Sequence, residues 1–174
     1  MTAALPRLTA AQRSEVIDAT ASWVARARVL YARPLPDIPV RFDLRGQTAG
    51  MYRVRGAERE IRYNPLVFAR WYSENLADTV PHEVAHYVVE MHHGRRARPH
   101  GPEWQAVMAA FGIVDARRTH DLDLGDLPVR RERRFRYRCA CREHQLSATR
   151  HHRVLRGQNH YHCRACAGEL VACE

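Results

Sequence analysis

The sequence predicts an α+β domain followed by a small cysteine-rich module. Three observations carry this. Helical and strand-like patterns alternate over the first two thirds of the chain. An H-E-x-x-H pattern, His82, Glu83 and His86, lies on one of the helical stretches. All five cysteines (139, 141, 163, 166 and 173) fall in the last fifth. With 45% hydrophobic and 27% charged residues among 174, the chain can bury a core and is not of disordered composition.

The elements follow in order. Residues 10–31 read as a helix, with Thr9 and Gln12 in a capping-box pattern and Val16, Thr20, Trp23, Val24, Ala27 and Leu30 at helical spacing. Pro34 and Pro36 stop it. "IPVRFDLRG", "AGMYRVRG" and "REIRYNP" read as strands, with Gly46 and Gly50 between the first two. Asn64 is an N-cap and Pro65 opens a helix to about Tyr72. Thr79 is the expected N-cap of the next helix, and Pro81 falls in its first turn, where a missing N–H is no loss. Val80, Val84, Tyr87, Val88 and Met91 form its apolar stripe and Gly94 its C-terminal stop. After a loop, Pro102 starts a helix with Trp104, Val107, Met108 and Phe111 on one face. The texture changes near "DLGDLP", which predicts two domains, 1–128 and 129–174.

His82 and His86, four residues apart, share a helix face, as two ligands of a metal must. Glu83 stands next to the first, where a carboxylate can activate water at an open coordination position. A third ligand has to come from elsewhere. His93 lies roughly 10 Å along the helix from His86, too far for a bond of about 2 Å. His92 points away. His100, brought back by the Gly94 turn, is the preferred third ligand, with Glu103 as the carboxylate alternative. A histidine-rich surface helix would leave Glu83 unexplained.

"TVPHEVAHYVV", then "HGPEWQAVM" and "RRTHDLDL", resemble the SprT family of zinc metalloproteases. "TAG", "YNPLVF" and the tail "YRCACREHQLSATRHHRVLRGQNHYHCRACAGELV" extend the likeness from about Leu8 to Val171. The resemblance implies a zincin-like, minigluzincin-type domain with His82, His86 and His100 as zinc ligands and Glu83 as catalytic base. Relatives, Spartan among them, cleave protein covalently trapped on DNA, so a DNA-bound protein substrate is implied as well.

Cys163 and Cys166 form a C-x-x-C knuckle. A structural zinc needs four ligands, and Cys139, Cys141 and His144 compete for the other two places. Cys139 and Cys141 are preferred, with His144 the alternative. Residues 145–162 suit a β-hairpin, which makes the module similar to a zinc ribbon, and Cys173 is read as unligated. The expected cofactors are thus two Zn²⁺ ions, one catalytic and one structural.

Net charge is +9, and from Arg130 onward there are 11 arginines against 4 acidic residues. Every basic residue in the chain is arginine, which a codon bias explains, but a bias does not explain the segregation. Arg134, Arg136 and Arg138 alternate with Phe135 and Tyr137, and Arg150, Arg153 and Arg156 follow. Arg134, Arg136, Arg138, Arg150 and Arg153 are the expected non-specific DNA contacts. The two aromatics are expected to pack against the protease domain instead of stacking on bases.

Absence of an apolar run near 20 residues, of a secretory leader and of a disulfide pattern predicts a cytoplasmic location without membrane contact. Tyr63, Arg118 and His120 are considered for oxyanion stabilisation, and the strand around Ala49 to Tyr52 for pairing with substrate. The competing readings are a non-enzymatic zinc-containing nucleic-acid-binding or regulatory protein, and a zinc hydrolase of small amides indifferent to DNA.

Overall fold

The computed structural model describes residues 5–119, 122–125, 127–129 and 133–173. Helices and strands are mixed, and the chain divides into two compact units, Met1–Val129 and Arg130–Glu174.

In the first unit, α1 (Ala10–Tyr31) begins at the capping box: Gln12 N–H donates to Thr9 Oγ1 at 3.1 Å, and Thr9 N–H to Gln12 Oε1 at 3.0 Å. Val16, Thr20, Val24 and Ala27 are buried. Trp23 is only partly covered, packed on Phe111 with ring centroids 4.8 Å apart. Leu30, expected in the stripe, is 46% exposed: the chain turns at Ala32, and Leu35 enters the core instead.

β1 (Val40–Arg41), β2 (Gly50–Arg55) and β3 (Glu58–Tyr63) form a sheet in the order β1-β3-β2. β1 is shorter than expected. It pairs in parallel with β3 through two residues, flanked by backbone bonds from Ile61 N–H to Pro39 O at 2.9 Å and from Leu44 N–H to Tyr63 O at 3.2 Å. β2 is antiparallel to β3, with Tyr52 opposite Ile61, and among the described residues no strand pairs with its other edge. Ile61 and Tyr63 face the core, whereas Glu60 and Arg62 face outward, pairing with Arg41, Arg53 and Asp43.

Asn64 caps α2 (Pro65–Arg70) by accepting from Leu66 and Val67 N–H. The short α3 (Tyr72–Glu74) and a widened turn, Asn75–Thr79, then run into α4 (Val80–His93). Thr79 is therefore not an N-cap. Its backbone is helical (φ −72°, ψ −37°), and its hydroxyl donates to Asn75 Oδ1 at 2.8 Å. A short-range pattern cannot show this, because buried Asn75 holds the turn together by donating to Val67 and Trp71 carbonyls. Val80, Val84, Tyr87 and Val88 of α4 are buried against α1 and the sheet, and Met91 packs at the margin. α5 (Pro102–Ala110) closes the core with Trp104, Val107 and Met108, followed by Phe111.

In the second unit, β4 (Arg134–Arg138), β5 (Glu143–Ser147) and β6 (Val171–Ala172) are ordered β5-β4-β6. The hairpin is β4–β5, not residues 145–162. From Ala148 to Leu155 the chain is instead helix α6, capped by Ser147, whose Oγ accepts from Arg150 N–H. Its inward side escaped the apolar pattern because an imidazole does the packing: His151 stacks on Phe135 at 3.6 Å between centroids and meets the Tyr137 hydroxyl at 3.0 Å. The two aromatics thus pack beneath α6 in their own unit. The core there is small: Tyr137, Leu146, Cys163 and Leu170. No helix among the described residues is long and apolar enough to cross a membrane.

Candidate metal centres and their surroundings

α4 places His82 and His86 on one face, and their Nε2 atoms lie 3.2 Å apart. His100 completes a near-equilateral triangle, with Nε2 3.1 Å from that of His86 and 3.0 Å from that of His82. It arrives there through a backbone in the left-handed region (φ 56°), which turns its ring back toward α4. Nitrogens bound tetrahedrally at 2.0–2.1 Å stand about 3.3 Å apart, so the triangle fits one small divalent ion. Among the described residues, Glu103 is outside this group, as are His92 and His93.

Trp104 stiffens the triangle. Its ring lies 4.7, 5.6 and 4.9 Å from the rings of His82, His86 and His100, and its Nε1–H donates to the His82 carbonyl at 3.3 Å. Burial, and then the neighbouring His82 and His100, push the His86 pKa down to about 3, which keeps a lone pair available. Burial likewise lowers His100, helped by the positive charge of Arg118.

Glu83 is buried, and burial raises its carboxyl to about 7; the Tyr52 N–H, donating to Oε2 at 2.6 Å, opposes the shift. This contact needs Gly50. A Cβ there would come within 2.6 Å of Thr79 Cγ2 and 2.8 Å of Glu83 Cγ. Gly50→Ala is expected to cost about 1–3 kcal/mol in denaturant unfolding of the metal-free protein. An unchanged unfolding midpoint would show that α4 shifts freely to make room.

Sequence reasoning missed Trp104 as part of the site, and it offered the strand around Ala49 to Tyr52 only for substrate, not for the hold of Tyr52 and Gly50 on Glu83. Trp104 was read only as core, although its place four residues after His100 was a usable signal. Of the groups considered for an oxyanion, Tyr63 is excluded. It is fully buried between Phe42 and Phe68, with its hydroxyl on Thr20 Oγ1 at 3.1 Å. Arg118 is exposed on the His100 side, and His120 lies outside the described residues.

In the second unit the sulfurs of Cys139, Cys141, Cys163 and Cys166 all lie within 4.8 Å of one another. Cys139 and Cys141 are 3.4 Å apart, and Cys141 and Cys163 3.6 Å. Sulfurs around a tetrahedral ion with bonds of about 2.3 Å are separated by roughly 3.8 Å, so this set fits too. Backbone N–H groups of Cys166 and Ala165 lower the Cys163 thiol to about 7, which favours the thiolate a metal requires. His144 Nε2 lies 3.3 Å from Cys139 Sγ, at the margin of the group. Cys173 is outside it.

The five arginines are not on one face. Arg134, Arg136 and Arg138 are exposed on the side of β4 opposite Phe135 and Tyr137, whereas Arg150 and Arg153 ride on α6, which covers those aromatics. Arg150 lies over the Tyr161 ring, 5.5 Å from its centroid.

A mixed α+β chain with one trio of histidines and one quartet of cysteines, each able to hold a metal ion, is the class defined by fold and site. Residues 20–122 match the SprT-like family, and the chain belongs to that family. It is similar to Protein SprT of Cronobacter sakazakii, at 38% identity over 96% of this chain and 97% of the relative. It is also similar to Protein SprT of Enterobacter sp., at 38% over 96% and 98%, and to that of Klebsiella pneumoniae, at 37% over 96% and 97%. No solved structure matches.

Proposed function

We infer that the chain is a zinc-dependent metallopeptidase of zincin-like, minigluzincin type, acting in the cytoplasm on DNA-associated protein. The observation that carries the reading is a trio of converging Nε2 atoms together with a buried carboxylate, Glu83, on the residue that follows His82 in α4. A purely structural metal site has no use for such a group.

His82, His86 and His100 would hold a zinc ion, which would supply Lewis acidity and make a nearby water more acidic. Glu83 takes the proton from the attacking water and returns it to the leaving amine. Tyr52 N–H keeps the carboxylate aimed while it does so. Tyr52 N–H and the β2–β3 register put the backbone groups of Gly50, Tyr52 and Val54 on the free edge of β2. Because Tyr52 N–H is given to Glu83, an extended substrate pairs through the remaining backbone groups of that edge, which favours low sequence selectivity. Arg118, whose charge reaches His100, is the group among the described residues that suits the developing oxyanion. Cys139, Cys141, Cys163 and Cys166 would hold the second zinc, which would brace the ribbon. Arg134, Arg136 and Arg138 on its open face supply phosphate contacts, with Arg150 and Arg153 forming a separate basic group.

The test is proteolysis of a protein crosslinked to DNA, compared with the same protein free. Zinc-loaded chain is expected to cut the crosslinked form faster, with the difference fading as salt rises. Equal cutting by wild type and Glu83→Gln would discard the enzyme reading. Equal rates on free and crosslinked protein at low salt would discard only the DNA part.

A further inference from the structure

Past His86 along α4, a recess of about 130 Å³ opens between β2 and the segment that follows α4. Tyr52, His86, Val89, Ala97, Pro99 and Trp104 line it, so one imidazole of the metal-binding trio is part of its wall. Glu90 also lines it, but its carboxylate is occupied. Oε2 accepts from Arg59 Nε at 2.7 Å and from the Tyr52 hydroxyl at 3.1 Å, and Oε1 accepts from Arg59 Nη2 at 3.1 Å. Exposed Arg95 and Arg98 complete the lining, and Arg95 Nη2 donates to Gly56 O at 2.7 Å, tying the turn after α4 to the β2–β3 hairpin.

Strand direction relates the recess to the reacting bond. β2 and α4 run the same way: Gly50 lies against Thr79 and Glu83, whereas the Tyr52 hydroxyl reaches Glu90. Arg59, opposite Val54, reaches Glu90 as well. A chain laid antiparallel on the free edge of β2 therefore runs from the Val54 end to the Gly50 end. It passes the recess before it reaches Glu83. The residue that meets the recess precedes the cleaved bond.

We propose that this recess is a specificity pocket that takes a medium-sized apolar side chain on the amino-terminal side of the cleaved bond and rejects lysine and arginine. The proposal rests on the peptidase reading above. An apolar cavity of about 150 Å³ holds one benzene ring, so a recess of this size accommodates a single side chain of leucine, methionine or phenylalanine size. Val89, Ala97, Pro99 and Trp104 offer it apolar contact. A cationic side chain finds the Glu90 carboxylate already neutralised by Arg59, bonded by Tyr52 and 4.0 Å from Arg95, and Arg98 adds like charge.

Zinc-loaded full chain digesting a mixture of denatured proteins, with the cut sites read by mass spectrometry, tests this. Leucine, methionine and phenylalanine are expected to be enriched at one fixed position among the two residues before the cut, and lysine and arginine depleted there. Ala97→Trp fills the recess and is expected to shift the preference to glycine, alanine and serine, with metal content as the check on folding. Arg98→Glu, on the exposed rim, is expected to relax the rejection of basic residues by about threefold to fivefold. A flat profile before the cut, or a preference that neither variant alters, would overturn the pocket and leave the peptidase reading standing. No cutting by zinc-loaded wild type would overturn both.

Discussion

Replacing Glu83 with glutamine is expected to lower peptide turnover by about 10²–10⁴-fold and, in the metal-free protein, to raise stability at neutral pH. The second effect follows from burial. The Glu83 carboxyl titrates near 7 in the folded chain against an ordinary 4.5, so folding disfavours its ionised form. Between those pH values the folded state retains a proton that the unfolded state has released. The stability tied to this group is thus full below about pH 4.5 and is lost as pH rises through about 7, by up to about 3 kcal/mol. Glutamine has no charge to bury and retains an acceptor for Tyr52 N–H. Denaturant unfolding of metal-free wild type and Glu83→Gln at pH 5 and pH 8 reads the effect. The variant should gain at pH 8 and be nearly level at pH 5. A gap independent of pH would mean that the burial cost of this carboxylate is not what separates them.

Stripping metal from the cysteine quartet is expected to unfold Arg130–Glu174 while Met1–Val129 retains a cooperative transition. Among its described residues the second unit buries Tyr137, Leu146, Cys163 and Leu170 as its core, too little to offset the ordering of so short a chain. Structural zinc supplies about 10–16 kcal/mol of apparent binding energy in comparable small modules. Cys163→Ser should act in the same way, because Cys163 is both a member of the quartet and part of that core. Zinc content should fall from two ions per chain to one in Cys163→Ser and also in His100→Ala, with ribbon helicity lost only in the former. Undiminished protection of residues 134–172 from protease after chelation would contradict a metal-dependent ribbon.

Much of the site was legible because it follows local periodicity. The Thr9–Gln12 capping box needs only a three-residue spacing, and His82 and His86 share a face because a helix repeats every 3.6 residues. The C-x-x-C knuckle is equally local. Where the sequence misled, a nearby residue took over the role that spacing had assigned to another, because packing decides which of them is buried. Thr79 bonds to buried Asn75, Leu35 supplants Leu30 in the core, and His151 supplies the contact that makes α6 a packed helix.

By itself, the sequence determined the donor types, their order and which pair shares a helix face. Family membership was legible as well, since that too is written in residues and spacings. Only the tertiary structure decided that the ring of His100, not Glu103, closes the trio, because that choice depends on a left-handed turn and on Trp104 packed against all three imidazoles. It also buried Tyr63, divided the arginines between two faces and seated the Glu83 carboxylate on Tyr52 N–H across the surface of Gly50. The reason is one of range. Spacing along the chain sets which side chains point the same way, whereas burial and contacts of about 3 Å arise between segments tens of residues apart and exist only once the core has closed.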